Sequence, residues 1–156
     1  MKNIEEKFMS IALKEAKKAE AIDEVPIGCV IVKNNKIIAR GHNIRETKKD
    51  PLGHAELVAI KKASKKLMNW RLEGCDLYVT LEPCMMCSGA IIQSRIRRVI
   101  FGAYDSKGGA IYSSINAFEA KNINHHPEIV PEVMKDECSS ILTNYFKKKR
   151  KSKLGL

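Results

Sequence analysis

Residues 76–103 read strand, helix, strand with almost no chain to spare, and no other stretch restricts the fold as tightly. The run DLYVTL at 76–81 alternates in polarity and is rich in strand formers. It stops at Glu82-Pro83, where proline suits a first helical position, and PCMMCSGAIIQ at 83–93 follows as an apolar helix. RVIFGA at 98–103 is a second strand of the buried type. Two strands joined through a helix are too far apart in the chain for a hairpin, so this order favours parallel pairing.

The flanking segments supply the rest of a layered α/β fold. Residues 3–21 place Ile4, Phe8, Ile11, Ala12, Ala16 and Ala19 at helical intervals among Lys and Glu. Pro26 and Gly28 break that pattern, and two apolar runs around Asn34-Asn35 then predict an antiparallel hairpin. Residues 43–53 are a polar loop leading into a second helix at 54–66, with Leu57, Val58, Ile60 and Ala63 as its stripe. Residues 104–115 read as a loop, Ile129-Val130 as a short last strand, and a final helix starts near Lys135. The sum is a sheet of about five strands with helices on both faces.

A chain of 156 residues has room for one such core, and no internal repeat or linker divides it. We place a single domain at 1–146 and a basic tail at 147–156. The net charge is +10, and six of the basic residues lie between Lys147 and Lys153, a segment able to touch phosphates or to stand as a solvated terminus. No apolar run approaches the roughly 20 residues of a membrane helix. The opening MKNIEEKFMS has no apolar block of a leader peptide, so the expectation is a cytoplasmic protein without membrane contact.

The five cysteines are an odd count, and only Cys84 and Cys87 are closely spaced. Together with His54 they give one imidazole and two potential thiolates on the first turns of two helices, a ligand set of zinc type. A helix start favours the thiolate forms. Glu56 lies two residues beyond His54, about 200° around a helix, and so stands beside a metal at His54 without ligating it. Zinc lowers the pKa of a bound water to about 7, and a neighbouring carboxylate can carry that proton, which is hydrolytic chemistry. The residues alone leave open a redox Cys-x-x-Cys pair, and a structural zinc closed by Cys29, Cys75, His125 or His126.

His-x-Glu followed by Pro-Cys-x-x-Cys is the known signature of zinc-dependent nucleobase deaminases. Residues 77–110 closely resemble the bacterial tRNA-specific adenosine deaminase family. The likeness extends through Pro26-Ile27-Gly28, Gly41-His42-Asn43, Asp50-Pro51, Asp136-Glu137-Cys138 and Tyr145-Phe146. The resemblance implies a cytidine deaminase-like, three-layer α/β/α sandwich with a mixed five-stranded sheet, assembled as a homodimer. It implies one zinc ion per subunit on His54, Cys84 and Cys87, with Glu56 as proton shuttle.

The implied activity is hydrolytic deamination of adenosine to inosine at the wobble position of an arginine tRNA with an ACG anticodon, the anticodon loop being the partner. By the same likeness Asn43 hydrogen-bonds the flipped base, and Ala55 and the Glu82-Pro83 turn frame the pocket. Asp105 contacts ribose-phosphate, Tyr145 and Phe146 lie near flanking nucleotides, and Lys149 and Arg150 meet phosphate. Two rival readings are a deaminase of free guanine or cytosine, against which stand the aromatic and basic C-terminus and the Asp105 loop, and a silent RNA-binding subunit, against which stands Glu56.

Overall fold

The computed structural model describes residues 3–155, so the first two residues of the expected domain and Leu156 of the tail lie outside the described residues. The elements are α1 (Ile4–Ala21), β1 (Gly28–Lys33), β2 (Lys36–His42), α2 (Ala55–Leu67), β3 (Cys75–Leu81), α3 (Met85–Gln93), β4 (Arg98–Ala103), β5 (Glu128–Val130) and α4 (Lys135–Lys153), with one 3-10 turn at Ala117–Glu119. Sheet order is β2-β1-β3-β4-β5. β1 runs antiparallel to both β2 and β3, while β3, β4 and β5 are parallel. The expected mixed five-stranded sheet and the parallel pair across α3 are both present.

Local chemistry explains the elements. Asn3 caps α1, its side-chain oxygen accepting the Glu6 amide at 2.8 Å, and Glu5 and Glu6 complement the positive end of the helix. The hairpin turns on Asn34 and Asn35, at φ 52° and 61°, the left-handed pair that a two-residue turn needs. Alternation along the strands then sorts side chains between two cores. Cys29, Ile31, Leu77, Val79, Val99 and Phe101 pack against α2 and α3. Val30, Val32, Tyr78 and Ile100 pack against α1 and Cys138 of α4. The result is the three-layer sandwich, α1 and α4 on one face and α2 and α3 on the other.

Two boundaries differ from the sequence reading. Pro83 is not in the first turn of α3, which starts at Met85; its carbonyl instead accepts the Ala110 amide at 2.8 Å. The charged segment from Lys147 is not set apart by its backbone, because α4 continues unbroken to Lys153. Among the described residues no helix is long and apolar enough to cross a membrane.

Strand direction decides where a site can form. β2, β3 and β4 point the same way, so His42, Leu81 and Ala103 end on one edge of the sheet, and the loops that follow them meet there. Ligands in open α/β sheets bind at such carboxyl ends.

Candidate metal centre and active site

Gly41 brings the metal ligands to that edge. A methyl group at Gly41 would lie 2.5 Å from the Ala55 carbonyl oxygen, so only glycine lets the first turn of α2 rest on β2. His54 is the N-cap of α2 and Cys84 the N-cap of α3, one residue ahead of the first turns where the spacing put them. Both have extended backbone and neither side chain caps its own helix, which leaves both free to face each other. Cys87 follows in the first turn of α3 and is buried.

The ligand atoms converge. His54 Nδ1 lies 3.6 Å from Cys84 Sγ and 3.5 Å from Cys87 Sγ. Bond lengths near 2.05 Å to nitrogen and 2.3 Å to sulfur about a tetrahedral ion put the N···S edge at about 3.5 Å, so the cluster fits zinc as it stands. Two thiolates and a neutral imidazole also balance its charge. Among the described residues these three are the whole group of neighbouring metal-ligating atoms, and no fourth ligand closes it. His125 Nε2 is engaged by the Ile96 carbonyl and His126 Nδ1 by the Phe118 carbonyl, while Cys29 and Cys75 are buried free thiols outside the group. Three ligands with an open position are the pattern of a catalytic zinc site.

The titrating groups are strongly biased. A hydrogen bond from the Cys87 thiol, with His54 beside it, lowers the Cys84 thiol to about 4. Cys87, as that donor and as a buried group, is shifted up, and the bond to Cys84 raises His54. Glu56 is 4% exposed and its carboxyl is pushed up to about 7 by burial. A group at that value can both take and give a proton near neutral pH.

Beside the cluster opens a cavity of about 660 Å³. His54 and Ala55 lie in its wall with Val25, Ile27, Asn43, Arg45, Leu81, Tyr104, Asp105, Lys107, Leu142, Phe146 and Arg150. Asn43 is held rigidly, its Oδ1 accepting the Arg45 amide at 3.1 Å and its Nδ2 donating to the Val25 carbonyl at 3.3 Å. Asp105 Oδ1 accepts the amides of Lys107 and Gly108.

Four of the expected contact residues stand elsewhere. Tyr145 is buried, its hydroxyl donating to Asp23 Oδ1 at 3.1 Å, and Lys149 pairs with Asp23 Oδ2 at 2.8 Å. Those bonds tie α4 to the end of α1 because positions 145 and 149 share a helix face, while Phe146 and Arg150 share the face turned to the cavity. The Glu82 side chain is bonded into the loop after β4 and does not line the cavity, and Pro83 is buried beside it. Arg45, Lys107, Leu142 and Thr143 join the wall without having been singled out by sequence. Arg45 follows Asn43 by two residues in a loop, and no periodicity marks such a position.

The chain is similar to known proteins over most of its length. Residues 2–103 match the cytidine and deoxycytidylate deaminase zinc-binding region. The tRNA-specific adenosine deaminase of Bacillus subtilis (strain 168) is 50% identical over 149 residues, 96% of this chain and 92% of that protein. This chain belongs to the tRNA-specific adenosine deaminase family. Within that family, a solved structure from studies of A-to-I editing by tRNA:A34 deaminases at the wobble position superposes with a TM-score of 0.84, at 44% identity, covering 86% of this chain and 98% of that one. A Bacillus subtilis guanine deaminase structure also matches, with a TM-score of 0.62 and 42% identity, over 67% of this chain and 66% of that one. Family membership fixes zinc as the metal that His54, Cys84 and Cys87 are arranged to take.

Proposed function

We propose that this deaminase converts adenosine to inosine at the wobble position of a tRNA, an arginine tRNA with an ACG anticodon, consuming one water and releasing one ammonia. The carrying observation is the pairing of the three-ligand cluster and Glu56 with a cavity whose wall presents Arg45, Lys107 and Arg150 beside the exposed ring of Phe146. Cations suit the phosphates and an aromatic face suits a splayed base of a single-stranded loop. A free base would engage neither. The anticodon loop also minimises the cost of unstacking the target.

Bound by the three ligands, zinc supplies a nucleophile at neutral pH by acidifying a coordinated water. The chain's own groups do the rest. Glu56 accepts the proton lost by the attacking water, delivers it to N1 of the ring, and passes a second proton to the departing amine. The fixed Asn43 amide offers its remaining donor and acceptor to the base edge, and Ala55 packs against it. Asp105, at the cavity edge, reaches ribose or phosphate. We further propose a cytoplasmic homodimer. Met68, Met85, Tyr112 and Ile115 are exposed apolar side chains around the α2 and α3 layer, the face that such a partner would cover.

The test is deamination of an arginine anticodon stem-loop beside free adenosine, guanine and cytidine, with ammonia and inosine measured. Inosine from the stem-loop alone is expected. Release of ammonia from guanine alone would transfer the reading to the guanine deaminase likeness.

A further inference from the structure

Glu82 is 2% exposed and takes no part in the proton transfers above. Its carboxylate accepts the backbone amides of Asp105 and Ile111 at 3.1 Å each, Tyr112 at 2.8 Å and Ser113 at 3.0 Å, and also the Ser113 hydroxyl. Residues 105–113 are thus wound around one buried anion, with Ile111 of the same loop buried in the apolar core. Gly109 belongs to that device, since a methyl group there would overlap the Glu82 carboxylate. The chain of bonds continues outward: the amide of Asp105 is held by Glu82, and the carboxylate of Asp105 holds the amide of Lys107 at 3.2 Å. Tyr104, Asp105, Ser106 and Lys107 are the side of the cavity that this loop supplies.

We propose that Glu82 is a positioning residue for RNA recognition, a buried anion that sets the 105–107 segment so that Lys107 meets a phosphate of the bound loop. The proposal rests on the RNA reading above. It differs from a purely structural role, in which Glu82 would hold the fold together without any bearing on where Lys107 stands. A backbone gathered by a single side chain moves as a unit when that side chain changes; His54 starts α2 and Cys87 lies within α3, so zinc content reports whether the change stays within the loop.

The experiment compares zinc-loaded wild type, Glu82→Gln, Lys107→Ala and the double variant on the arginine anticodon stem-loop over a range of salt. Gln keeps the volume of Glu but sets an NH2 group against backbone donors. We expect one zinc per chain in every variant and a KM raised about tenfold in Glu82→Gln, the effect of one misplaced charged contact, with the loss falling on KM more than on kcat. The slope of log KM against log salt should become shallower by about 0.7, one phosphate contact on a single strand. Lys107→Ala should reproduce that slope and add less than about twofold in the Glu82→Gln background, as coupled residues do. Unchanged KM and slope in Glu82→Gln, or a full additional effect of Lys107→Ala, would overturn the proposal. If Glu82→Gln fails to fold, Gly109→Ala, which crowds the carboxylate without removing its charge, carries the same expectations. A wild type that makes no inosine from the stem-loop overturns the RNA reading instead.

Discussion

Substituting Gly41 by alanine tests whether close packing of α2 on β2 sets the metal centre. The added methyl group would meet the Ala55 carbonyl oxygen at 2.5 Å and the Ala59 amide nitrogen at 2.9 Å, both backbone atoms with no rotamer to give way. Reaching an ordinary contact of 3.4 Å requires the helix to retreat by roughly 0.9 Å. Overpacking of this kind costs about 1–3 kcal/mol. The same retreat carries His54, the N-cap of α2, away from Cys84 and Cys87, which sit on α3 and do not follow. Ligand distances tolerate only about 0.2 Å before affinity suffers. Gly41→Ala should therefore lower the urea midpoint and also weaken zinc binding by about 10- to 100-fold, the scale seen when groups orienting a metal ligand are lost. Urea unfolding monitored by circular dichroism gives the first quantity, and competition with a colorimetric zinc chelator gives the second. A variant that loses stability yet binds zinc as tightly as wild type would refute the link between this packing and the ligand geometry. A variant altered in neither would refute the contact itself.

Glu56→Gln should reduce turnover by about 10²- to 10⁴-fold, the range for a lost general acid-base group, while zinc content by atomic absorption stays at one per chain. Loss of zinc along with activity would contradict its role beside the metal. Glu24 is buried, which pushes its carboxyl up, but the amides of Thr47 and Glu46 donate to it and the net shift is downward. A carboxylate lowered on folding stabilises the protein above its unfolded value near 4.5 and loses that contribution as pH falls through the folded value. The melting temperature of wild type should thus exceed that of Glu24→Gln at neutral pH and the gap should narrow as pH falls below 4.5; a gap independent of pH would exclude the carboxylate as its source. Arg150→Ala should flatten the salt dependence of stem-loop binding by about 0.7 in slope. Lys149→Ala, at a side chain already paired with Asp23, should flatten it less, and equal effects would show that the pair opens when RNA binds.

Short-range chemistry was legible without coordinates. The run from β3 through α3 to β4 carries its own strand formers, break at Glu82-Pro83 and apolar helix, so both its elements and their parallel pairing could be read. The zinc ligands were legible for a related reason: thiolates three residues apart at a helix start, with an imidazole at another, fit few other uses. The start of α3 was displaced by two residues because Pro83 bonds its carbonyl to Ala110, a partner far along the chain. The C-terminal contacts were harder. Tyr145 and Phe146 are neighbours in sequence but lie about 100° apart on α4, and only the packing against Asp23 tells which of them faces the cavity.

The sequence by itself determined which residues could ligate a metal and the order of elements, and it singled out Glu56 as the proposed proton shuttle, because each depends on residue type and on spacings short enough to be local. Tertiary structure alone decided that His54 and the two cysteines meet at tetrahedral separations and that, among the described residues, no fourth side chain joins them. It also decided that Glu82 faces a loop and not a base, and that Arg45 and Lys107 enter the cavity wall. Those outcomes depend on which strand ends share an edge of the sheet and on how closely α2 rests against Gly41. Such distances belong to the packed molecule, and no local pattern encodes them.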